Sequence, residues 1–115
     1  MTDARKTFLI AGLALVLLVP IIAGAGSGSD GSALFAKMKC TKCHDPKVKK
    51  TGPALQTIAA AYKTPDNLVR YFQGKSEPIV EPARAKTMKP RRRKLARLKA
   101  EEQEALAAFI LGFKK

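Results

Sequence analysis

Both cysteines and the only histidine of this 115-residue chain fall within five consecutive residues, Cys40-Thr41-Lys42-Cys43-His44. Thiols at i and i+3 lie on the same side of one helical turn, and the residue behind the second thiol directs its imidazole to the same neighbourhood. Few other features organise a core: the chain has no Trp, two Tyr and five Phe, so a domain of this size buries only a modest apolar interior. Small exported domains compensate with disulfides, a metal or a cofactor. Two cysteines this close allow one disulfide at most, closing a loop too short to constrain much chain, which leaves a cofactor as the better staple.

Export is read from the N-terminus. Arg5 and Lys6 precede the uncharged run "FLIAGLALVLLV", then Pro20 and the small residues Ala23-Gly24-Ala25, the order of a secretory signal. The uncharged stretch of residues 7–26 has the length of a membrane span, so residues 1–25 read as either a cleaved signal or a retained anchor. Both readings put Arg5 and Lys6 inside and the remainder outside the cytoplasmic membrane, in the periplasm. Residues 26–31 are a small-residue linker, and residues 32–115 are the folded domain.

Along that domain the apolar spacing is helical. Asp30 caps a helix with Gly31, Leu34, Phe35 and Met38 on one face, running to Cys40. Leu55, Ile58, Ala59 and Tyr62 mark a second helix, and "TPDNLVRYFQG" a third with Thr64 as cap, Pro65 in the first turn and Gly74 as stop. Leu98, Ala105, Leu106, Phe109, Ile110 and Phe113 form one side of a last helix. Between them, residues 75–98 carry Pro78, Pro82 and Pro90 and few apolar residues, and read as an irregular loop whose length calls for a function such as covering a cofactor. The expected fold is all-α with about four helices.

Cys-x-x-Cys-His is the spacing of covalent haem attachment: the two thiols reach two vinyl groups of a porphyrin, and the imidazole of His44 faces the iron. Zinc needs four ligands, and this chain has no third Cys and no second His. A thioredoxin-like redox pair expects a βαβ context, and a plain disulfide remains as the third alternative.

From Gly31 onward the chain resembles the small bacterial monohaem c-type cytochromes of the His/Met class, class I. The resemblance rests on "GSALFAKMKCTKCH", on "TGPAL" at residues 51–55 and on "AFILGF" near the end, and it covers about 85 residues. It implies a fold wrapped around one haem c bound through Cys40 and Cys43, with His44 as proximal ligand and the carbonyl of Pro53 accepting its other ring N–H. It also implies that Gly31 and Phe35 pack against Phe109. For the sixth ligand, Met1 lies in the targeting segment and Met38 just before the cysteines. Met88, in "AKTMKP", stands where the family carries its ligand on a Pro-containing loop. His/Met ligation raises the reduction potential and fills both axial positions.

The chain carries +13. Between Arg84 and Lys99 stand nine Lys or Arg and no acid. Arg84, Lys86, Lys89, Arg91, Arg92, Arg93 and Lys94 are read as a docking surface for acidic redox partner proteins, against the plainer reading of a solvated face. Membrane association through residues 7–26 or this basic surface is a further expectation. Nucleic acid is not expected, for want of a recognition fold in this compartment. The function expected is non-enzymatic electron transfer between partners outside the cytoplasmic membrane. The alternatives are a tethered or permanent subunit of a respiratory, photosynthetic or sulfur-oxidising complex, and a haem sensor or catalytic subunit in which Met88 does not ligate.

Overall fold

The structure, a computed structural model, describes residues 30–115. The expected signal or anchor in residues 1–25, and residues 26–29 of the linker, lie outside the described residues. Among these, five α-helices and two short 3₁₀ turns are present and no strand.

Helix α1, Gly31–Lys37, starts where the Asp30 carboxylate accepts the backbone N–H groups of Ser32 and Ala33 at 2.9 and 3.3 Å, two donors that otherwise have no partner in the first turn. It ends before the cysteines. Lys39 adopts a left-handed backbone (φ 58°), and the chain enters a separate 3₁₀ turn, Cys40–Lys42. Helix α2, Leu55–Tyr62, buries Leu55, Ile58, Ala59 and Tyr62, the face that the apolar spacing assigns. Helix α3, Pro65–Phe72, is capped by Thr64 Oγ1, which accepts from Asn67 at 3.3 Å. Its C-terminus closes through Gly74 (φ 74°), with Gly74 N–H on the Tyr71 carbonyl and Lys75 N–H on the Arg70 carbonyl, the paired arrangement that a left-handed glycine allows.

Residues 75–98 are not one irregular loop. After a 3₁₀ turn, Pro82–Arg84, the chain forms helix α4, Ala85–Ala96, with Pro90 inside it. Proline lacks the N–H that would bond the carbonyl four residues back, here that of Lys86. Against that single loss stand Ala85, Met88, Leu95, Ala96 and a run of Lys and Arg, all good helix formers. Reading the stretch by its prolines and sparse apolar residues missed the helix, because α4 is held by very little apolar surface: Leu95 is its one buried residue.

Helix α5, Ala100–Leu111, packs against α1, α2 and α3 and is the centre of the fold. The Glu102 carboxylate reaches back to the Lys99 N–H at 3.1 Å. Phe35 and Phe109 meet with ring centroids 5.4 Å apart, tilted at 54°, where α1 crosses α5. Gly31 is required there, since a Cβ on it would lie 2.6 Å from Phe109 Cβ and against the Ala105 carbonyl. Gln103 is the buried polar residue of α5. Its amide donates to the Leu95 carbonyl and accepts from Gln73, both at 2.9 Å, so it ties the end of α4 and the end of α3 to α5.

Candidate haem-binding site

The 3₁₀ turn sets the two thiols. Cys43 and His44 both donate backbone N–H groups to the Cys40 carbonyl, at 3.1 and 2.9 Å, which curls residues 40–44 into a single turn. The loop that follows is fastened locally. The Asp45 carboxylate accepts the N–H groups of Lys47 and Val48 at 2.8 and 2.9 Å, and its backbone carbonyl accepts from Leu55 at 2.9 Å. Gly52 N–H donates to the Cys43 carbonyl at 2.8 Å, folding residues 52–53 back over His44. The His44 Nδ1 is then 2.8 Å from the Pro53 carbonyl. A carbonyl only accepts, so Nδ1 carries the proton and the lone pair of the ring lies on Nε2.

Cys40, Cys43, His44, Pro53 and Met88 all line one cavity of about 310 Å³. Its walls are largely apolar, from Phe35, Leu55, Ile58, Leu68, Phe72, Leu95, Leu106 and Ile110. Exposed Thr51, Arg84 and Thr87 belong to the same lining and bring it to the surface. Met88 reaches the cavity from α4, a helix and not the expected loop. Met38 lines it too, as do Tyr62 and Tyr71, which stack at 5.7 Å. By sequence the two tyrosines, with Phe72, are candidates for the haem pocket, against the plainer reading of ordinary core at helical spacing; all three line the cavity. Glu81 and Gly52 also border it; Gly52 stands in the "TGPAL" stretch that carries the resemblance, whereas no spacing in the sequence marks Glu81.

The electrostatics follow the burial. The Cys40 thiol is pushed above its ordinary value by burial, an effect offset in part by the Arg91 guanidinium. Burial raises Tyr62 to about 12 and Tyr71 in the same direction. Glu81 pairs with Lys49, so its carboxyl lies below the usual range and the loops on either side of the cavity are joined.

The basic run divides. Arg91 Nη1 donates to the Met38 carbonyl at 3.1 Å and Arg92 Nη1 to the Phe72 carbonyl at 3.4 Å, both half-buried. Arg84 borders the cavity. Lys86, Lys89, Arg93 and Lys94 are exposed, and Lys86, Lys89 and Arg93, at helical spacing, form one outward stripe.

The cavity suits a covalently held porphyrin. Two unbonded thiols and an imidazole with Nδ1 already engaged border an apolar space, and soft thioethers are at hand on its lining.

The comparisons with known proteins agree. Cytochrome c-552 of Hydrogenobacter thermophilus is 37% identical over 59 residues, 51% of this chain and 60% of that protein. Cytochrome c-552 of Nitrosomonas europaea is 39% identical over 51 residues, 44% of this chain and 50% of that protein. Cytochrome c-551 of Stutzerimonas stutzeri is 37% identical, over 38% of this chain and 49% of that protein. The chain thus spans about half the length of the curated relatives it matches. The family model described as Cytochrome c matches residues 28–114, nearly the whole of the described fold, and the chain therefore belongs to the cytochrome c family.

Proposed function

We propose that this protein carries electrons between redox partners outside the cytoplasmic membrane, on one haem c held by Cys40 and Cys43 with His44 and Met88 as axial ligands. Bound haem c supplies a one-electron Fe(III)/Fe(II) couple. The residues of the chain do the rest: the thiols anchor the macrocycle, Pro53 orients His44 and raises the basicity of its free nitrogen, the apolar walls exclude water, and Met88 offers a thioether that favours ferrous iron.

The observation that carries this reading is the commitment of His44 Nδ1 to Pro53 beside two thiols on one apolar cavity. The outward stripe of α4 supports a docking role toward acidic partner proteins. Arg91 and Arg92, engaged on backbone carbonyls, belong to that surface less than the sequence alone suggested.

Met38 borders the same cavity as Met88, so the ligand assignment needs both variants. The test is a potentiometric titration and absorption spectrum of protein matured with a c-type haem assembly system, beside Met88→Ala and Met38→Ala. The expected result is a low-spin spectrum and a clearly positive potential in the wild type, both lost in Met88→Ala and kept in Met38→Ala. A high-spin, low-potential wild type would overturn Met88 ligation and favour the sensor or catalytic reading. Loss in Met38→Ala alone would move the ligand to Met38.

A further inference from the structure

We propose that Arg91 and Arg92 are the positioning residues that hold Met88 over the cavity, an inference that rests on the ligation reading above. Apart from the Gln103 amide on the Leu95 carbonyl at its far end, helix α4 has little else to fix it. Leu95 is its one buried side chain; its basic residues include Lys89 and Arg93 four apart, a repulsive pairing on a helix; and Pro90 withdraws a backbone bond from the turn that carries Met88. Its packing is chiefly against α3 and the short turn before it.

The two guanidinium groups make good that deficit at the point where it matters. Residues three and four positions apart are neighbours on a helix surface, and Arg91 and Arg92 are the third and fourth residues after Met88. Each reaches a carbonyl at a helix C-terminus, a group without an intrahelical partner and at the negative end of the dipole. Arg91 takes the Met38 carbonyl at 3.1 Å, two residues before Cys40. Arg92 takes the carbonyl of Phe72, the last residue of α3, at 3.4 Å. The turn bearing Met88 is thereby tied on one flank to the segment that delivers the thiols and on the other to the wall of the cavity.

The test uses the mature holoprotein. Two readouts report on the ligand: the methionine-to-ferric-iron charge-transfer band, and carbon monoxide binding by the ferrous form. The double variant Arg91→Ala/Arg92→Ala should lose or strongly weaken the band. Carbon monoxide affinity should rise about tenfold or more, in proportion to the population with Met88 displaced. Arg91→Lys and Arg92→Lys keep a donor without the planar fork and should fall in between; they also serve if the alanine variants fail to mature. Arg93→Ala on the outward face and Phe109→Leu in the α1–α5 crossing should leave both readouts at wild-type values, although the latter lowers global stability.

If Met88→Ala abolishes the band while the double variant keeps it, with affinity within about twofold of wild type, the clamp is wrong and the ligation stands. If Met88→Ala leaves the band intact, the ligation reading falls and this inference falls with it.

Discussion

The imidazole of His44 and the carbonyl of Pro53 meet at 2.8 Å, and Gly52, the residue before Pro53, packs closely against the ring. A Cβ on Gly52 would stand 2.5 Å from His44 Cε1 and 2.9 Å from Nδ1. The fold therefore reads out the ring position through the residue before Pro53 as well as through the bond itself.

Gly52→Ala tests that relationship. The ring must tilt away or the loop must lift, an overpacking change of about 1–3 kcal/mol, and either movement lengthens the bond to Pro53. Denaturant unfolding of the holoprotein should show the loss of stability, and proton NMR should show faster exchange of the His44 ring N–H. Wild-type values of both would mean that the loop yields without disturbing the ring.

Helix α1 depends on a second close approach. Gly31→Ala puts a methyl group against the Ala105 carbonyl and 2.6 Å from Phe109 Cβ, atoms fixed to α5 and unable to swing aside. The gain in helix propensity from Gly to Ala is at most about 1 kcal/mol and smaller at the first helical residue, so the clash decides the sign. The variant should lose about 1–3 kcal/mol, seen as a lower urea midpoint, whereas Ser32→Ala on the exposed side of the same turn should change little. A Gly31→Ala midpoint at or above the wild-type value would show that the two helices separate freely.

Much of this was legible in the sequence, for identifiable reasons. Asp30, Thr64 and Gly74 announce helix ends because capping chemistry is local, and the apolar spacing of α2 is the face it buries; that of α5 finds buried Leu106 and Ile110 but leaves out Ala107, which is fully buried. Cys40, Cys43 and His44 are legible because their geometry is set within one turn. Helix α4 was not, because it has few apolar residues to mark it and its Arg91 and Arg92 reach the carbonyls of Met38 and Phe72, 53 and 20 residues away, contacts which no local pattern encodes. Gln103 escaped for the same reason: an amide on the apolar face of α5 becomes intelligible once Leu95 and Gln73 arrive on either side of it. The residues that line the cavity without a motif, Tyr62, Tyr71 and Glu81, are defined by tertiary packing alone.

Two carboxyls in the loops beside the cavity are held toward their charged form. Asp45 lies below its ordinary range because it accepts the Lys47 and then the Val48 N–H groups, and Glu81 because of its bond to Lys49. A depressed folded pKa means that the unfolded chain binds protons first as pH falls. The stabilisation is thus complete above the ordinary carboxylate range and is lost as pH drops through the folded values. Urea unfolding from about pH 6 to pH 2.5, spanning ordinary Asp and Glu values, should show wild-type stability declining. Asp45→Ala and Glu81→Gln should start lower and decline less. Curves parallel to wild type would remove these two groups from the acid transition.

The outward stripe of α4 makes a prediction that the whole basic run does not. Reversing Arg91 or Arg92 would break carbonyl contacts as well as change charge, so a slower reaction in such variants says nothing about docking. Lys86→Glu/Lys89→Glu/Arg93→Glu changes the charge of exposed residues on the side of the helix away from Met88. Its reduction potential should stay close to wild type, and its association with an acidic redox partner, followed by stopped flow, should slow by roughly tenfold or more at low salt. The two rates should converge near 1 M salt, where screening acts over about 3 Å. The matching reversal Lys114→Glu/Lys115→Glu, at the far end of α5, tests whether net charge alone is responsible. If both variants slow equally, the attraction is diffuse; if the α4 variant keeps the wild-type rate and salt dependence, the stripe is a solvated face and the partner docks elsewhere.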